Sequence, residues 1–322
     1  MHEEGPGAKG IAMLTQIEGI HHITSMARDA QVTDRFITDT LGLRRVKKTV
    51  NFDAPEVYHL YYANGTGRPG TVMTYFPFPN IVAGRRGAGE VGATVYAVPE
   101  GSLDFWEKRL EEHGVTGLAR ETRFGETRLL FDGVNGDGFA LNEMKDDARE
   151  PWNRAGIADD VAIRGFHSAS LVLRDRRGTE ALLSLMGYEP LAEENGILRM
   201  KRGGGNGADL IDLETRPDAP VARQGAGSVH HIAFAVADDA AQLAVRDALV
   251  AEGFQITPVI DRDYFHSIYF RAPGGGLFEI ATNEPGFAND EDMAHLGEAL
   301  KLPSQHAHLR ERLEASLPKI GG

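Results

Sequence analysis

Four stretches of the chain open in the same way. Each begins with a short apolar run, passes through a polar stretch into a helix, reaches a glycine, and continues as strands separated by Gly-rich turns. The openings are Gly19-Ile20-His21-His22-Ile23-Thr24-Ser25, Gly92-Ala93-Thr94-Val95-Tyr96-Ala97-Val98, Gly165-Phe166-His167-Ser168-Ala169-Ser170-Leu171 and Ser228-Val229-His230-His231-Ile232-Ala233-Phe234. They recur roughly every 65 to 75 residues, the spacing of a repeated unit rather than of chance likeness. Apolar periodicity predicts helices over Asp34 to Thr40, Asp104 to Glu112, Glu180 to Met186 and Ala240 to Glu252, stopped by Gly42, Gly114, Gly187 and Gly253. Phe105, Trp106 and Leu110 fall near one face of the second helix; Leu243, Ala244, Ala248 and Leu249 do so in the fourth. Tyr58 to Tyr62, Val72 to Phe76, Arg128 to Phe131 and Ser267 to Arg271 read as strands. The unit is therefore βαβββ.

A four-stranded sheet with a helix on one face still has the other face to bury. Pairing two units curls their mixed sheets around a shared cup, and four units make an α+β fold. The expected division is an N-terminal pair over 17–146, a C-terminal pair over 164–288, and a helical tail over 289–322. Asp146 to Ile163, with Pro151 and several charges, reads as the linker. In the tail, Leu309, Leu313 and Leu317 recur every four residues and are expected to pack back on the body.

Successive side chains of a strand point to opposite faces, so only one histidine of each His-His pair should enter the cup. His231 shares its face with the small Ala233 and Ala235, whereas His230 shares its face with Ile232, Phe234 and Val236. The small neighbours leave room for a ligand, which selects His231, and repeat register selects His22 with Thr24 beside it. A third donor is expected on the closing strand Ala272 to Ala281, where Glu279 interrupts an apolar run beside Ala281. A lone buried carboxylate is costly unless it is paired or holds a metal. In the second unit Leu141 is read at the place of Glu279, so that cup is expected to hold no metal. Two imidazoles and one carboxylate leave open positions on a metal, as in non-haem Fe(II) sites; Mn, Zn and Ni accept the same donors.

The other histidines carry less. His167 lies one place off the ligand register, His59 alternates with Tyr61 without a decided face, and His306 and His308 read as solvated tail residues. Gly203 to Gly205 reads as a hairpin turn.

Composition narrows the options. The chain has 322 residues, 42% hydrophobic and 25% charged, the profile of a globular protein of two ordinary domains. The formal net charge of −13 repels phosphate backbones, so nucleic acid is not an expected partner. With no cysteine, disulfides, thiolate metal ligands and cysteine nucleophiles are excluded. No apolar run reaches the length of about 18 residues that a membrane helix needs, so no membrane partner is expected. Met1 to Gln16 is polar and Gly-rich without the pattern of a signal peptide, and a cytoplasmic location is expected. Oligomeric state stays open; an unpaired unit edge would suit a homo-oligomer.

These residues resemble the vicinal-oxygen-chelate superfamily of glyoxalases, bleomycin-resistance proteins and extradiol dioxygenases. The nearer resemblance is to its hydroquinone 1,2-dioxygenase-like ring-cleaving branch, over about residues 17 to 305. It is carried by Gly19 to Thr24, Tyr58-His59-Leu60-Tyr61-Tyr62, Gly70-Thr71-Val72-Met73-Thr74, Arg123-Phe124-Gly125, Gly165 to Ser168, Val229 to Phe234, and Asp261-Arg262-Asp263-Tyr264-Phe265 through Tyr269, Arg271 and Glu279. The resemblance implies a glyoxalase-like fold, Fe(II) on His22, His231 and Glu279, and a small aromatic substrate cleaved with O2. It also implies substrate or supporting roles for His21, Thr24, His230, Arg262 and Tyr269. For His21 and His230 this conflicts with the alternation argument, which turns both away from the cup. A Zn or Ni glyoxalase-type isomerase, which would need a further carboxylate ligand that no residue clearly supplies (Asp212 stays open), and a non-catalytic drug-binding protein of the same fold remain open alternatives.

Overall fold

A computed structural model describes residues 13–321. The polar start of the chain therefore lies mostly outside the described residues. Every unit has the expected order. The first runs β1 (Ile20–Ala27), α1 (Ala30–Arg35), a π-helical turn (Phe36–Thr40), β2 (Arg44–Val50), β3 (Tyr58–Ala63) and β4 (Val72–Pro77). The second runs β5 (Glu90–Pro99), α2 (Leu103–Glu112), β6 (Thr116–Arg123), β7 (Glu126–Asp132) and β8 (Gly138–Met144). The third runs β9 (Gly165–Leu173), α3 (Arg177–Leu185), β10 (Tyr188–Glu194), β11 (Ile197–Arg202) and β12 (Leu210–Thr215). The fourth runs β13 (Val229–Val236), α4 (Asp239–Ala251), β14 (Ile260–Asp261), β15 (Phe265–Arg271) and β16 (Leu277–Pro285). Gly203 to Gly205 lies in the turn between β11 and β12, as expected.

Local chemistry sets the helices. Asp29 caps α1 by accepting from the Val32 amide, and Asp238 caps α4 by accepting from the Ala241 amide. α2 buries Leu103, Trp106 and Leu110, a stripe on one face. α4 departs from the sequence reading: it buries Gln242, Val245 and Leu249, while Leu243 is left exposed. The polar Gln242 takes a core position because its side-chain amide donates to the carbonyls of His266 (2.8 Å) and Ile280 (2.9 Å). Satisfied donors remove the penalty that would otherwise keep a glutamine outside.

The sheets are two, each of eight strands and each mixed. One has the order β14-β15-β16-β13-β1-β4-β3-β2 and the other β10-β11-β12-β9-β5-β8-β7-β6. The first sheet therefore joins units one and four, and the second joins units two and three. This corrects the expectation that successive units share a cup. The joining contact is antiparallel, β1 with β13 and β5 with β9. Unit one finds its sheet partner at the far end of the chain. The segment 146–163, expected as a linker between two domains, carries no helix or strand and joins units two and three of one sheet.

The tail is also less helical than expected. Beyond β16 it makes short 3-10 turns and one α-helix, α5 (Arg310–Ser316). Leu313 and Leu317 are buried and Leu309 packs beside the main core. The tail is tied down by charge: Lys47 on β2 is fully buried and reaches Asp290 and Glu291 at 2.5 Å each. These anchors hold the chain in turns across the first sheet instead of one continuous helix. No helix among the described residues is long and apolar enough to cross a membrane.

Candidate metal centre

The three donors expected from sequence converge. His22 Nε2 lies 3.1 Å from His231 Nε2 and 3.3 Å from Glu279 Oε2, and His231 Nε2 lies 3.0 Å from Glu279 Oε2. All three are buried, and they form the one three-donor cluster of metal-ligand type found among the described residues. Sheet register explains the convergence. His22 faces Ala233 across β1 and β13, and Ala233 faces Glu279 across β13 and β16.

Two β-bulges complete the site. Ile20 and His22 pair with the consecutive Phe234 and Ala233, leaving His21 as an extra residue on β1. Thr24 and Ser25 pair with His231 and Val229, leaving His230 as an extra residue on β13. A bulge interrupts alternation and re-aims a side chain. The consequence is direct: His21 Nδ1 lies 2.9 Å from His22 Nδ1, and His230 Nδ1 lies 2.8 Å from His231 Nδ1. Each pair is satisfied when the ligand histidine carries hydrogen on Nδ1 and donates it to the preceding histidine. That tautomer leaves both Nε2 atoms bare and pointed at the carboxylate. The expectation that His21 and His230 turn away from the cup is thus overturned by the bulges.

The donor set fits a divalent cation. Two bare imidazole nitrogens and one carboxylate oxygen crowd together, and Glu279 Oε2 accepts no hydrogen bond although it is buried. The other carboxylate oxygen accepts from Ser267 Oγ. Burial alone would raise the Glu279 carboxyl; the adjoining His22 and His231 outweigh it and hold it well below the usual range. Burial also pushes His21 and His230 down to about 3, so both supporting rings are neutral. Burial lowers His231 as well, which suits a ligand that must be unprotonated.

The centre opens on a cavity of 390 Å³ whose walls include Phe52, Phe76, Phe265 and Tyr269. Tyr269 faces Glu279 across β15 and β16, with its ring 5.7 Å from that of His231. Burial raises its hydroxyl far above the usual range, so it is a hydrogen-bond donor. The Arg262 guanidinium stands 5.6 Å from the Tyr269 ring and 5.2 Å from the Phe52 ring. Of the residues expected at the site, His21, Thr24 and Glu279 stay off the cavity wall; the Thr24 hydroxyl bonds Thr74 Oγ1 at 2.8 Å. Ala233 and Ala281 do make room, but Phe265, Tyr61, Tyr264 and Phe287 fill it, in a small apolar cluster beneath the site.

Sequence reasoning missed or misplaced several groups. His59 stands on the cavity wall with Tyr61 and is hydrogen-bonded on both ring nitrogens. The signal was present in the motif Tyr58 to Tyr62, but alternation alone gave it no face. His306 is half-buried rather than free in solvent; its Nε2 lies 2.8 Å from the Phe52 carbonyl, on the loop that walls the cavity. In the second sheet the register places Ala140 opposite Val95, and Leu141 one place further. Val95 corresponds to Ala233, so Ala140 and not Leu141 stands where Glu279 would be. Asp212 occupies the equivalent place in the third unit, opposite Ser170, and accepts from Arg199 at 2.7 and 3.0 Å. It is therefore an ion-pair partner in the other sheet, remote from this centre. His167 is the extra residue of the matching bulge on β9 and lies 3.1 Å from Ser168 Oγ.

The profile of the Glyoxalase/Bleomycin resistance protein/Dioxygenase superfamily matches residues 184–280. Glyoxalase I of Zea mays superposes with a TM-score of 0.61 at 14% identity, over 87% of this chain and 96% of that one, which is a likeness of fold. Nearer relatives are more specific. MhqO of Bacillus subtilis (strain 168), named as a candidate ring-cleaving dioxygenase, is 42% identical over 306 residues, 95% of this chain and 97% of MhqO. A chlorohydroquinone/hydroquinone 1,2-dioxygenase of Sphingobium indicum is 36% identical over 310 residues, 92% of this chain and 95% of that protein. The crystal structure of a candidate dioxygenase from Bacillus subtilis superposes with a TM-score of 0.92 at 41% identity, over 95% of this chain and 98% of that one. The chain belongs to the ring-cleaving dioxygenase family within that superfamily.

Proposed function

We propose that the protein is an Fe(II)-dependent, extradiol-type ring-cleaving dioxygenase that acts on a hydroquinone- or catechol-type aromatic with O2. The observation that carries this reading is the convergence of two bare imidazole nitrogens and one unpartnered carboxylate oxygen at the wall of a largely aromatic cavity. Three donors on one side leave positions for both reactants. Bound iron would supply Lewis acidity and the one-electron chemistry that O2 requires.

The chain supplies position and charge. Phe52, Phe76 and Phe265 offer apolar surface to a flat ring and keep water from it. Tyr269 is protonated and close to the donors, so it can hydrogen-bond an anionic oxygen of the substrate. Arg262 lies beside Tyr269 and adds positive charge where negative charge must be carried. His21 and His230 hold the ligand rings from behind through Nδ1. A cytoplasmic setting, where iron stays reduced, suits this chemistry.

Elemental analysis of anaerobically purified protein, with oxygen uptake over a panel of hydroquinones and catechols, tests the reading. About one iron per chain with substrate-dependent uptake is expected. Glu279→Ala and His22→Ala are each expected to lose stoichiometric metal while remaining folded; iron retained in either variant overturns the ligand assignment. Zinc or nickel without uptake would favour the isomerase, since the same donors accept those ions.

A further inference from the structure

Four buried side chains outside the metal cluster form one continuous hydrogen-bonded line. Tyr61 Oη lies 2.8 Å from His59 Nδ1, His59 Nε2 lies 2.9 Å from Thr74 Oγ1, and Thr74 Oγ1 lies 2.8 Å from Thr24 Oγ1. The line starts on the cavity wall, where Tyr61 and His59 stand with His22 and His231. It ends on β1, where Thr24 pairs with His231 across the sheet. The His59 ring is clasped between Tyr61 and Phe76, with centroids 4.0 and 4.3 Å away, so its orientation is fixed. A neutral imidazole joined to two partners donates from one nitrogen and accepts at the other. Protons can therefore shift along the line without any side chain moving.

We propose that His59, acting through Tyr61, is the proton acceptor for an aromatic hydroxyl of the substrate. The proposal rests on the dioxygenase reading of the site. In the step, the substrate O–H bond breaks and its proton passes to Tyr61 Oη. In the same event the Tyr61 O–H bond breaks and that proton forms an N–H bond at His59 Nδ1. No electron changes hands. The substrate is left as a phenolate and His59 as an imidazolium, whose Nε2–H donates to Thr74 Oγ1 while Thr74 donates to Thr24. The proton returns to the ring-opened product.

Burial and charge set the resting state of His59 and leave the imidazolium to be stabilised by the phenolate that forms with it. Burial holds His59 well below the usual imidazole range, so it rests neutral with a nitrogen free to accept. Arg262 pushes it the same way, and Glu279 opposes. The imidazolium is tolerated because the phenolate forms one hydroxyl away. Burial holds the Tyr61 hydroxyl well above its usual range, so Tyr61 relays the proton and does not keep the negative charge.

The test is an anaerobic pH titration of the iron-loaded protein with bound 4-nitrocatechol, whose ionisation is visible by absorption. Wild type is expected to ionise the bound probe at lower pH than free solution does. His59→Asn, at equal iron content, should raise that pH by about one unit or more, a tenfold loss of acidity of the bound probe. Tyr61→Phe, which keeps the ring packing, should move it in the same direction. In turnover, kcat of His59→Asn should fall about 100-fold with KM nearly unchanged. The deficit should shrink along a series of substrates with increasingly acidic hydroxyls. Probe ionisation at the wild-type pH in both variants, or an equal rate loss for every substrate, would overturn the proposal. If wild type ionises the probe through His59 but consumes no O2 with any substrate, the relay stands and the dioxygenase reading falls.

Discussion

His21 and His230 each stand one residue before a proposed metal ligand, and each owes its position to an inserted residue in the β1–β13 ladder. Their Nδ1 atoms are the acceptors behind His22 and His231. Removing such an outer partner typically weakens metal affinity about 10- to 100-fold without unfolding the site. His230→Phe keeps an aromatic ring of similar size but no acceptor. A drop of that order in Fe(II) affinity is expected, measured by competition with a chromophoric chelator; unchanged affinity would show that His231 is oriented by packing alone. At this scale the sequence was informative about identity and weak about direction. His22, His231 and Glu279 were legible because small neighbours and an isolated carboxylate mark them out. The inward turn of His21 and His230 was not, because period-two alternation assumes an unbroken ladder. The misreading of Leu141 for Ala140 has a related cause: without the pairing partner Val95, register along an apolar strand is uncertain by one residue.

Elements reveal a second limit. Three of the four helix positions followed from periodicity and stop glycines; the first begins at Ala30, earlier than the Asp34 expected, and the inward face of α4 did not follow, because Gln242 rather than Leu243 enters the core. The glutamine is held there by two carbonyls, one of them Ile280, next to Glu279. The tail shows the same dominance of polar contacts. Its packing leucines were legible, yet its path is set by Lys47, which lies 2.5 Å from both Asp290 and Glu291 and 4.6 Å from the Tyr264 ring. No pattern in 289–322 announces a partner on β2. Lys47→Met would leave Glu291 buried without its cation, at a cost of about 3 kcal/mol. The expected result is a lower urea midpoint with an unchanged slope. Tyr264 and Tyr61 pack beside this anchor, so weaker substrate binding should accompany the loss of stability.

At the scale of the molecule, one repeated unit has been used in two ways. Both sheets pair their central strands antiparallel, with bulges at His21 and His230 in one and at Gly92 and His167 in the other. The places of His22, His231 and Glu279 are taken in the second sheet by Ala93, Ser168 and either Ala140 or Asp212. One sheet thus carries the His-His-Glu cluster and the other an Arg199–Asp212 ion pair. The repeats were legible, but which unit meets which was not, since identical edges could pair in several orders. Where the halves meet, Asp137 in the β7–β8 turn accepts from Tyr75 on β4 of the other sheet, at 3.3 Å. Its second oxygen has no partner, and burial pushes the carboxyl up to about 7 from an ordinary 3.8. The folded protein therefore holds a proton that the unfolded chain has released between these values. Stability should fall as pH rises through that window and level off above about 7. Asp137→Asn keeps an acceptor for Tyr75 and removes the ionisation. Its melting temperature should lack this decline and exceed that of wild type at pH 8. A parallel decline in both proteins would place the pH dependence elsewhere in the fold.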